Sequence, residues 1–368
     1  MGDRDERAAR TAHLRRQGLM KGDPVALPII PTSMYHLPGD PAGHRQYGRF
    51  DNPTWEATED LLSHLEDAPA VAFPSGMAAI SALFFGLLKT GDRVLLPSDG
   101  YYTTRVLAER FLAPMGVAFD LRPTSRFAEG GFDGYRLVFV ETPSNPGLDI
   151  CDIAAVSKAA HDAGAIVAAD NTTMTPYGQR PLDLGADIVV AADTKAPNGH
   201  SDALFGHLAS RDATVIEAVR DWRKLSGAIP GPFEAWMVHR GLETLEVRFA
   251  RMCDSAETVA ARLADHSAVQ AVRFPGLKSD PSHNLASAQM ARFGLLIGLT
   301  LRDAATAERL IDGCELIQPA TSFGGVHTSA ERRARWGDDV AEGYVRLSVG
   351  CEPVEALWAA LDRALGAA

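Results

Sequence analysis

Lys195 carries more chemical information than any other side chain in this 368-residue sequence. It ends the run Ala186-Asp-Ile-Val-Val-Ala-Ala-Asp-Thr-Lys195 and opens a turn rich in Gly, Asn, Ser and Asp. The other lysines, Lys21, Lys89, Lys158, Lys224 and Lys278, lie in stretches that read as exposed loops or polar helix faces. An amine delivered by an apolar strand is costly to desolvate, and a desolvated lysine of lowered pKa is what Schiff-base chemistry requires. An ordinary strand-end lysine is the alternative. Asp170 closes a second apolar run, Ala165-Ile-Val-Ala-Ala-Asp170. A carboxylate there would pair with a buried cation such as a protonated pyridine nitrogen, or would simply cap an Asx turn.

Four further features suit the same chemistry, each with a plainer reading beside it. Gly76 in Pro74-Ser-Gly-Met77 separates a strand from an apolar helix, where free N–H groups could cradle a phosphate or Ser75 could merely cap the helix. Tyr101 follows a strand end and could stack on a flat ring, or be an ordinary half-buried tyrosine. Arg346 lies in the alternating segment Tyr344-Val-Arg-Leu-Ser-Val-Gly350, opposite the face of Val345, Leu347 and Val349. Its fork suits a carboxylate, with a surface arginine as the alternative. Tyr47 and Arg49, in an irregular N-terminal stretch, could clamp an anion, including one bound to a neighbouring subunit.

The elements that must position these groups are legible as short apolar runs. Strands are predicted over 70–73, 93–96, 117–121, 137–141, 166–170, 187–191 and 204–209, with helices over 77–89, 102–115 and 153–163 between them. Such alternation predicts an α/β fold whose mainly parallel sheet is covered on both faces and binds ligands at its strand carboxyl ends. From about residue 242 the pattern changes to a long helix at 242–264 and strands at 269–274 and 295–301. A helix at 304–313, a strand at 344–349 and a helix at 354–365 complete a smaller α+β unit. The expected organisation is an arm over 1–50, a large domain over 51–240 and a small domain over 241–368.

A net charge of −11 argues against nucleic acid as a partner. The charged N-terminus has no secretory h-region, and Pro74-Ser-Gly76 breaks the uncharged stretch 68–88, so no membrane association is expected. Cys151, Cys253, Cys314 and Cys351 are scattered, which indicates neither disulfides nor a zinc site and fits a cytoplasmic protein. No G-x-G-x-x-G or Walker sequence follows a strand, which disfavours a nicotinamide or nucleotide cofactor.

Taken in order, these segments resemble the cysteine/methionine-metabolism family of pyridoxal-phosphate enzymes, which includes the cystathionine lyases and synthase and methionine γ-lyase. The resemblance runs from Pro28-Ile-Ile-Pro-Thr-Ser33 to Arg346-Leu-Ser-Val-Gly350. It includes Tyr47-Gly-Arg-Phe-Asp-Asn-Pro-Thr54, Ser75-Gly-Met77, Glu141-Thr-Pro-Ser-Asn-Pro146, Asp170-Asn-Thr172 and Thr194-Lys195. Gly199-His-Ser-Asp202, Arg240-Gly-Leu-Glu-Thr-Leu245 and Ser322-Phe-Gly-Gly325 extend it. The pattern is most similar to actinobacterial-type cystathionine γ-lyases.

The resemblance implies the aspartate-aminotransferase-like type I fold, with a seven-stranded sheet in the large domain, and pyridoxal 5'-phosphate as cofactor. Lys195 would carry the cofactor and move protons, Asp170 would hold its ring nitrogen and Tyr101 would stack on the ring. Backbone N–H groups of Gly76 and Met77, with the Thr194 hydroxyl, would bind its phosphate. Tyr47 and Arg49 would reach the phosphate of the neighbouring subunit, making a homodimer the minimal unit of an expected homotetramer. Arg346, with Ser322 and Asn145, would hold the α-carboxylate of an amino-acid substrate.

The implied reaction is γ-elimination from cystathionine. A β-lyase, a γ-replacement synthase using an O-acylhomoserine, a methionine γ-lyase-like activity and a non-catalytic binding protein are the alternatives. Departures from the family pattern stand at Ala192, Ala196, Tyr102 and Thr321, the last where cystathionine γ-lyases tend to carry Glu. Arg332 and Arg333 are further candidates for a distal substrate carboxylate, with solvated surface arginines as the alternative.

Overall fold

In the computed structural model, which describes residues 3–367, the seven expected strands form one sheet. They are β1 (Ala70–Phe73), β2 (Arg93–Pro97), β3 (Ala118–Arg122), β4 (Leu137–Glu141), β5 (Ile166–Asp170), β6 (Ile188–Ala191) and β7 (Gly206–Ser210). The order is β1-β7-β6-β5-β4-β2-β3, and only β7 runs against the rest. Both faces are apolar, and successive residues enter different cores. Val71 and Phe73 pack under the helices Gly76–Leu87 and Ala213–Ser226, whereas Ala70 and Ala72 face the opposite core. Val167 and Ala169 pack against the helix Ile153–Asp162, while Ala168 points the other way. Two covered faces explain why these strands read as continuous rather than alternating apolar runs.

A second sheet contains β8 (Ala271–Arg273), β9 (Leu296–Thr300), β10 (Gln318–Pro319), β11 (Ser329–Arg332) and β12 (Tyr344–Ser348), in the order β10-β11-β12-β9-β8. The helices Leu245–Ala264, Ala304–Gly313 and Val354–Ala367 bury one face of it, taking in Ile297, Leu299, Val345 and Leu347. The fold is therefore α/β, a large mainly parallel sheet joined to a smaller sheet layered with helices. Among the described residues no helix is long and apolar enough to cross a membrane.

Two local results differ from the sequence expectation. The segment 102–115 is not one α-helix: it is α-helical over Tyr102–Leu107, widens to a π turn over Ala108–Leu112 and tightens to a 3₁₀ turn over Ala113–Met115. Pro114 is the physical reason, because it lacks an N–H and its ring crowds the carbonyl one turn earlier. In the N-terminal stretch a helix forms over Asp3–Thr11, and Arg7 donates to the carbonyl of His64. Residues 19–52 beyond it hold no regular element except an isolated bridge between Met34 and Tyr47.

Candidate active site

A cavity of about 650 Å³ lies at the carboxyl ends of β4, β5 and β6, closed from the other side by β11 and β12. Nine of the eleven residues expected to act together line it: Gly76, Met77, Tyr101, Asn145, Asp170, Thr194, Lys195, Ser322 and Arg346. Tyr47 and Arg49 do not. Tyr47 is largely exposed, and Arg49 donates to the Lys224 carbonyl while stacking near Phe50.

Lys195 is partly buried, whereas every other lysine is exposed. Its Nζ donates to the Ser322 hydroxyl at 2.8 Å and lies 5.0 Å from the centre of the Phe323 ring. Burial, reinforced by the positive Arg346, lowers the amine to about 8. A substantial neutral fraction at physiological pH is what a nucleophilic or basic amine needs. The turn that carries it is pinned from two directions. Arg248 donates to the carbonyls of Ala196 and Pro197 and to that of Gly241. Beneath Thr194, buried Asp193 meets the His207 Nδ1 at 2.9 Å, and the His207 Nε2 meets Glu66 at 3.3 Å.

Burial opposes charge on His207, but attraction to Asp193 and hydrogen bonds to Asp193 and Glu66 outweigh it and push the imidazole up to about 10. The stabilisation is full below the ordinary histidine value and is lost as pH rises through about 10. His207→Leu leaves two carboxylates buried without their cation and is expected to cost about 3–5 kcal/mol of stability. Denaturant unfolding of both proteins across this pH range checks the cost and its sign; an equal loss at pH 7 and pH 11 would contradict it.

Glu141 and Asp170 are cross-strand neighbours at the ends of β4 and β5. The Asp170 carboxylate accepts from the Thr172 N–H at 2.9 Å, and Glu141 accepts from the Tyr101 N–H at 2.6 Å. Burial raises the pKa of Asp170, and burial together with the Asp170 charge raises Glu141 well above the carboxylate range. Two adjacent buried carboxylates resist sharing two negative charges. The pair therefore settles with Asp170, the one bonded by Thr172 and attracted by Lys195, as the anion. Glu141 was not anticipated as a cavity residue. Only the strand register brings it beside Asp170.

The helix Gly76–Leu87 starts at the cavity wall, capped by the Ser75 hydroxyl accepting from the Ala78 N–H at 3.1 Å. The N–H groups of Gly76 and Met77 precede the intrahelical ladder, which leaves them for a ligand. A Cβ on Gly76 would stand 2.6 Å from the Ala192 Cβ, and one on Gly206 would stand 2.6 Å from the Gly76 Cα. Only glycines allow this helix terminus to sit against β6 and β7. The Thr194 hydroxyl exchanges bonds with the Phe205 backbone at 3.0 and 3.2 Å.

Arg346 is 3% exposed, which excludes the surface-arginine reading. Its face of β12, opposite the helix-covered one, is roofed by the large sheet's loops rather than by water. It donates to the Asn145 side chain at 2.5 Å and the Thr321 carbonyl at 2.8 Å, and pairs with Glu331 at 3.0 Å. Burial and the neighbouring Arg333 lower it to about 10, so it stays cationic at neutral pH. Arg332 and Arg333 part company at the end of β11. Arg332 pairs with Glu308 and Glu342 away from the cavity, whereas Arg333 is buried and lines it. Neither is a solvated surface arginine. Of the departures from the family pattern, Tyr102, Ala192 and Thr321 line the cavity, but Ala196 is packed in the main core.

The cavity fits pyridoxal 5'-phosphate by its chemistry: a partly neutral amine, a buried carboxylate for a protonated ring nitrogen, an exposed tyrosine ring at the mouth and a glycine-shaped helix terminus for a phosphate. The buried hydroxyl of Thr173, a residue that also lines the cavity, has no hydrogen-bond partner among the described residues.

Comparison with known proteins agrees. Residues 10–366 match the family described as Cys/Met metabolism PLP-dependent enzyme. A Streptomyces coelicolor protein provisionally named cystathionine gamma-lyase is 48% identical over 354 residues, covering 94% of this chain and 90% of its own. Cystathionine gamma-synthase of Mycobacterium tuberculosis is 38% identical over 357 residues, covering 93% and 92%. The crystal structure of a methionine gamma lyase from Micromonospora echinospora superposes with a TM-score of 0.91 at 36% identity, covering 97% of this chain and 98% of that one. The chain belongs to the Cys/Met metabolism family of PLP-dependent enzymes, the carbon–sulfur lyases and their synthase relatives, and pyridoxal 5'-phosphate is its cofactor.

Proposed function

We propose that this enzyme cleaves the Cγ–S bond of cystathionine by γ-elimination, giving cysteine, 2-oxobutanoate and ammonia. The observation that carries the reading is a lysine amine of lowered pKa and a buried, Asn145-oriented arginine facing one cavity. The Streptomyces relative's name supports the choice of cystathionine. Pyridoxal 5'-phosphate, when bound, supplies an electron-accepting ring that makes protons on an attached amino acid removable.

The residues have separate tasks. Gly76, Met77 and Thr194 hold the phosphate, Asp170 keeps the ring nitrogen protonated and Tyr101 covers the ring face. Arg346, oriented by Asn145, grips the α-carboxylate, with Ser322 beside it. That grip sets the Cα–H bond toward Lys195, whose Nζ accepts the α-proton and returns it to the cofactor side. The amine, free again, then takes the Cβ proton whose loss lets the Cγ–S bond break. The Tyr101 hydroxyl or the protonated Lys195 donates to the departing thiolate. Ser322 holds the free amine of Lys195 in the cavity between these events.

Tyr47 and Arg49 act in this reading on the phosphate of a neighbouring subunit, so the enzyme is a homo-oligomer with a dimer as its minimal unit. The exposure of Tyr47 and the absence of both residues from their own chain's cavity support it.

The test is product analysis with cystathionine, homocysteine, methionine and an O-acylhomoserine. Release of 2-oxobutanoate and cysteine from cystathionine is expected. Pyruvate with homocysteine would identify a β-lyase instead, and consumption of the O-acylhomoserine only with added cysteine would identify a synthase. For the subunit arrangement, mixing inactive Lys195→Ala and Arg49→Ala proteins is expected to restore activity through hybrid dimers carrying one intact site. No recovery after subunit exchange would refute shared sites.

A further inference from the structure

Arg346 and Arg333 meet the same carboxylate oxygen. Glu331 Oε2 lies 3.0 Å from Arg346 Nη2 and 2.8 Å from Arg333 Nη1. Glu331 and Arg346 are paired across β11 and β12, and Arg333, two residues on, follows the same side of the chain. Two guanidinium groups therefore stand side by side along one cavity wall, kept apart by a single buried carboxylate. Arg346 suits the α-carboxylate of the substrate. Arg333 has no task in that reaction.

Arg333 is held rigidly. Its Nε and Nη2 contact one oxygen of Asp338 at 2.8 and 2.6 Å, and its Nη1 contacts Glu331. These bonds use one N–H on each nitrogen, leaving one N–H on each Nη. Charge balance points the same way. Arg333, Arg335 and Arg346 surround only Glu331 and Asp338, so the cluster carries an excess positive charge. Trp336, whose indole donates to Glu331, also lines the cavity.

We propose that Arg333, backed by Glu331 and Asp338 and flanked by Trp336, binds the distal carboxylate of a two-headed amino-acid substrate and so selects such thioethers over single-headed sulfur amino acids. The inference rests on the reading of the cavity given above and assigns a specificity-determining role to Arg333. The carboxylate absent at Thr321 has no replacement in this scheme: recognition at the distal end is by a cation instead.

The holoenzyme, Arg333→Met, Arg333→Lys and Asp338→Asn are compared on cystathionine and on homocysteine. Arg333→Met is expected to lower the ratio of kcat/KM for cystathionine to that for homocysteine by about 10–100-fold, the loss for a charge-assisted carboxylate contact. Arg333→Lys should lose less, and Asp338→Asn, which keeps the guanidinium but loosens its hold, should lower the ratio by less than Arg333→Met. A ratio unchanged within about twofold in Arg333→Met, with both substrates impaired alike, would show that Arg333 only props Glu331 and Arg346. If Arg333→Met does not fold, Arg333→Lys decides by the same ratio. A second readout is independent of turnover. Binding of 2,6-diaminopimelate, a two-headed ligand with no sulfur, is followed by the cofactor absorption spectrum and compared with norleucine. Weaker binding of diaminopimelate alone, by at least about 10-fold in Arg333→Met, upholds the subsite even if cystathionine proves not to be the substrate. Equal binding of both ligands by wild type and variant overturns it.

Discussion

Lys195→Ala is expected to abolish turnover, lowering kcat by at least about 10³-fold, because in the proposed mechanism one side chain both carries the cofactor and moves the substrate protons. The fold should survive. The lysine's contacts are one hydrogen bond to Ser322 and a ring contact to Phe323, whereas the turn around it is held by Arg248 and by the Asp193–His207 pair. Loss of the visible absorption of the lysine-bound cofactor, with unchanged far-UV circular dichroism, is the signature to seek. The amine also sets a pH dependence. Below about 8 it is increasingly protonated and non-nucleophilic, so capture of added cofactor by cofactor-free protein should accelerate as pH rises through about 8. A capture rate flat between pH 6 and 9 would mean that the amine is not the group attacked.

The second large effect is expected at Asp170. Asp170→Asn keeps the size and the bond from Thr172 but removes the charge that would hold a protonated ring nitrogen. A loss of about 10²–10³-fold in kcat/KM is expected, the range for deleting one preorganised electrostatic stabiliser. The loss should fall mainly on kcat, since the proposed grip on the substrate is made elsewhere, by Arg346. Removing Asp170's charge also relieves Glu141, whose pKa that charge helps to raise. A spectroscopic titration of the double variant Asp170→Asn, Glu141→Gln separates the two carboxylates. If Asp170→Asn retained wild-type kcat, the pairing with the ring nitrogen would be wrong and Asp170 would be only the Asx-turn residue that its Thr172 contact resembles.

The large sheet and the ends of its strands were legible in the sequence because β4, β5 and β6 are buried on both faces. Such strands leave an uninterrupted apolar signal, and a charge at the end of one stands out. Asp170 and Lys195 stand out in that way. Gly76 was legible because a strand, a glycine and an apolar helix occur in immediate succession. Strands β10 and β11 were not. Gln318–Pro319 is short and exposed, and Ser329–Arg332 is polar, buried only because its charged residues find partners on other segments. A pattern rule reads such polar segments as loops.

The sequence by itself determined the fold class and the family and singled out Lys195, Asp170 and Arg346 as candidates, because these depend on local periodicity and on motifs in a fixed order. Only the tertiary structure decided which charges meet. It placed Glu141 beside Asp170, put Glu331 between Arg346 and Arg333, sent Arg332 to the opposite face, and moved Ala196 into the core and out of the cavity. The physical reason is common to all four. Burial and electrostatics act through space between strands far apart in the chain, and a one-residue step along a strand reverses the face on which a side chain lies.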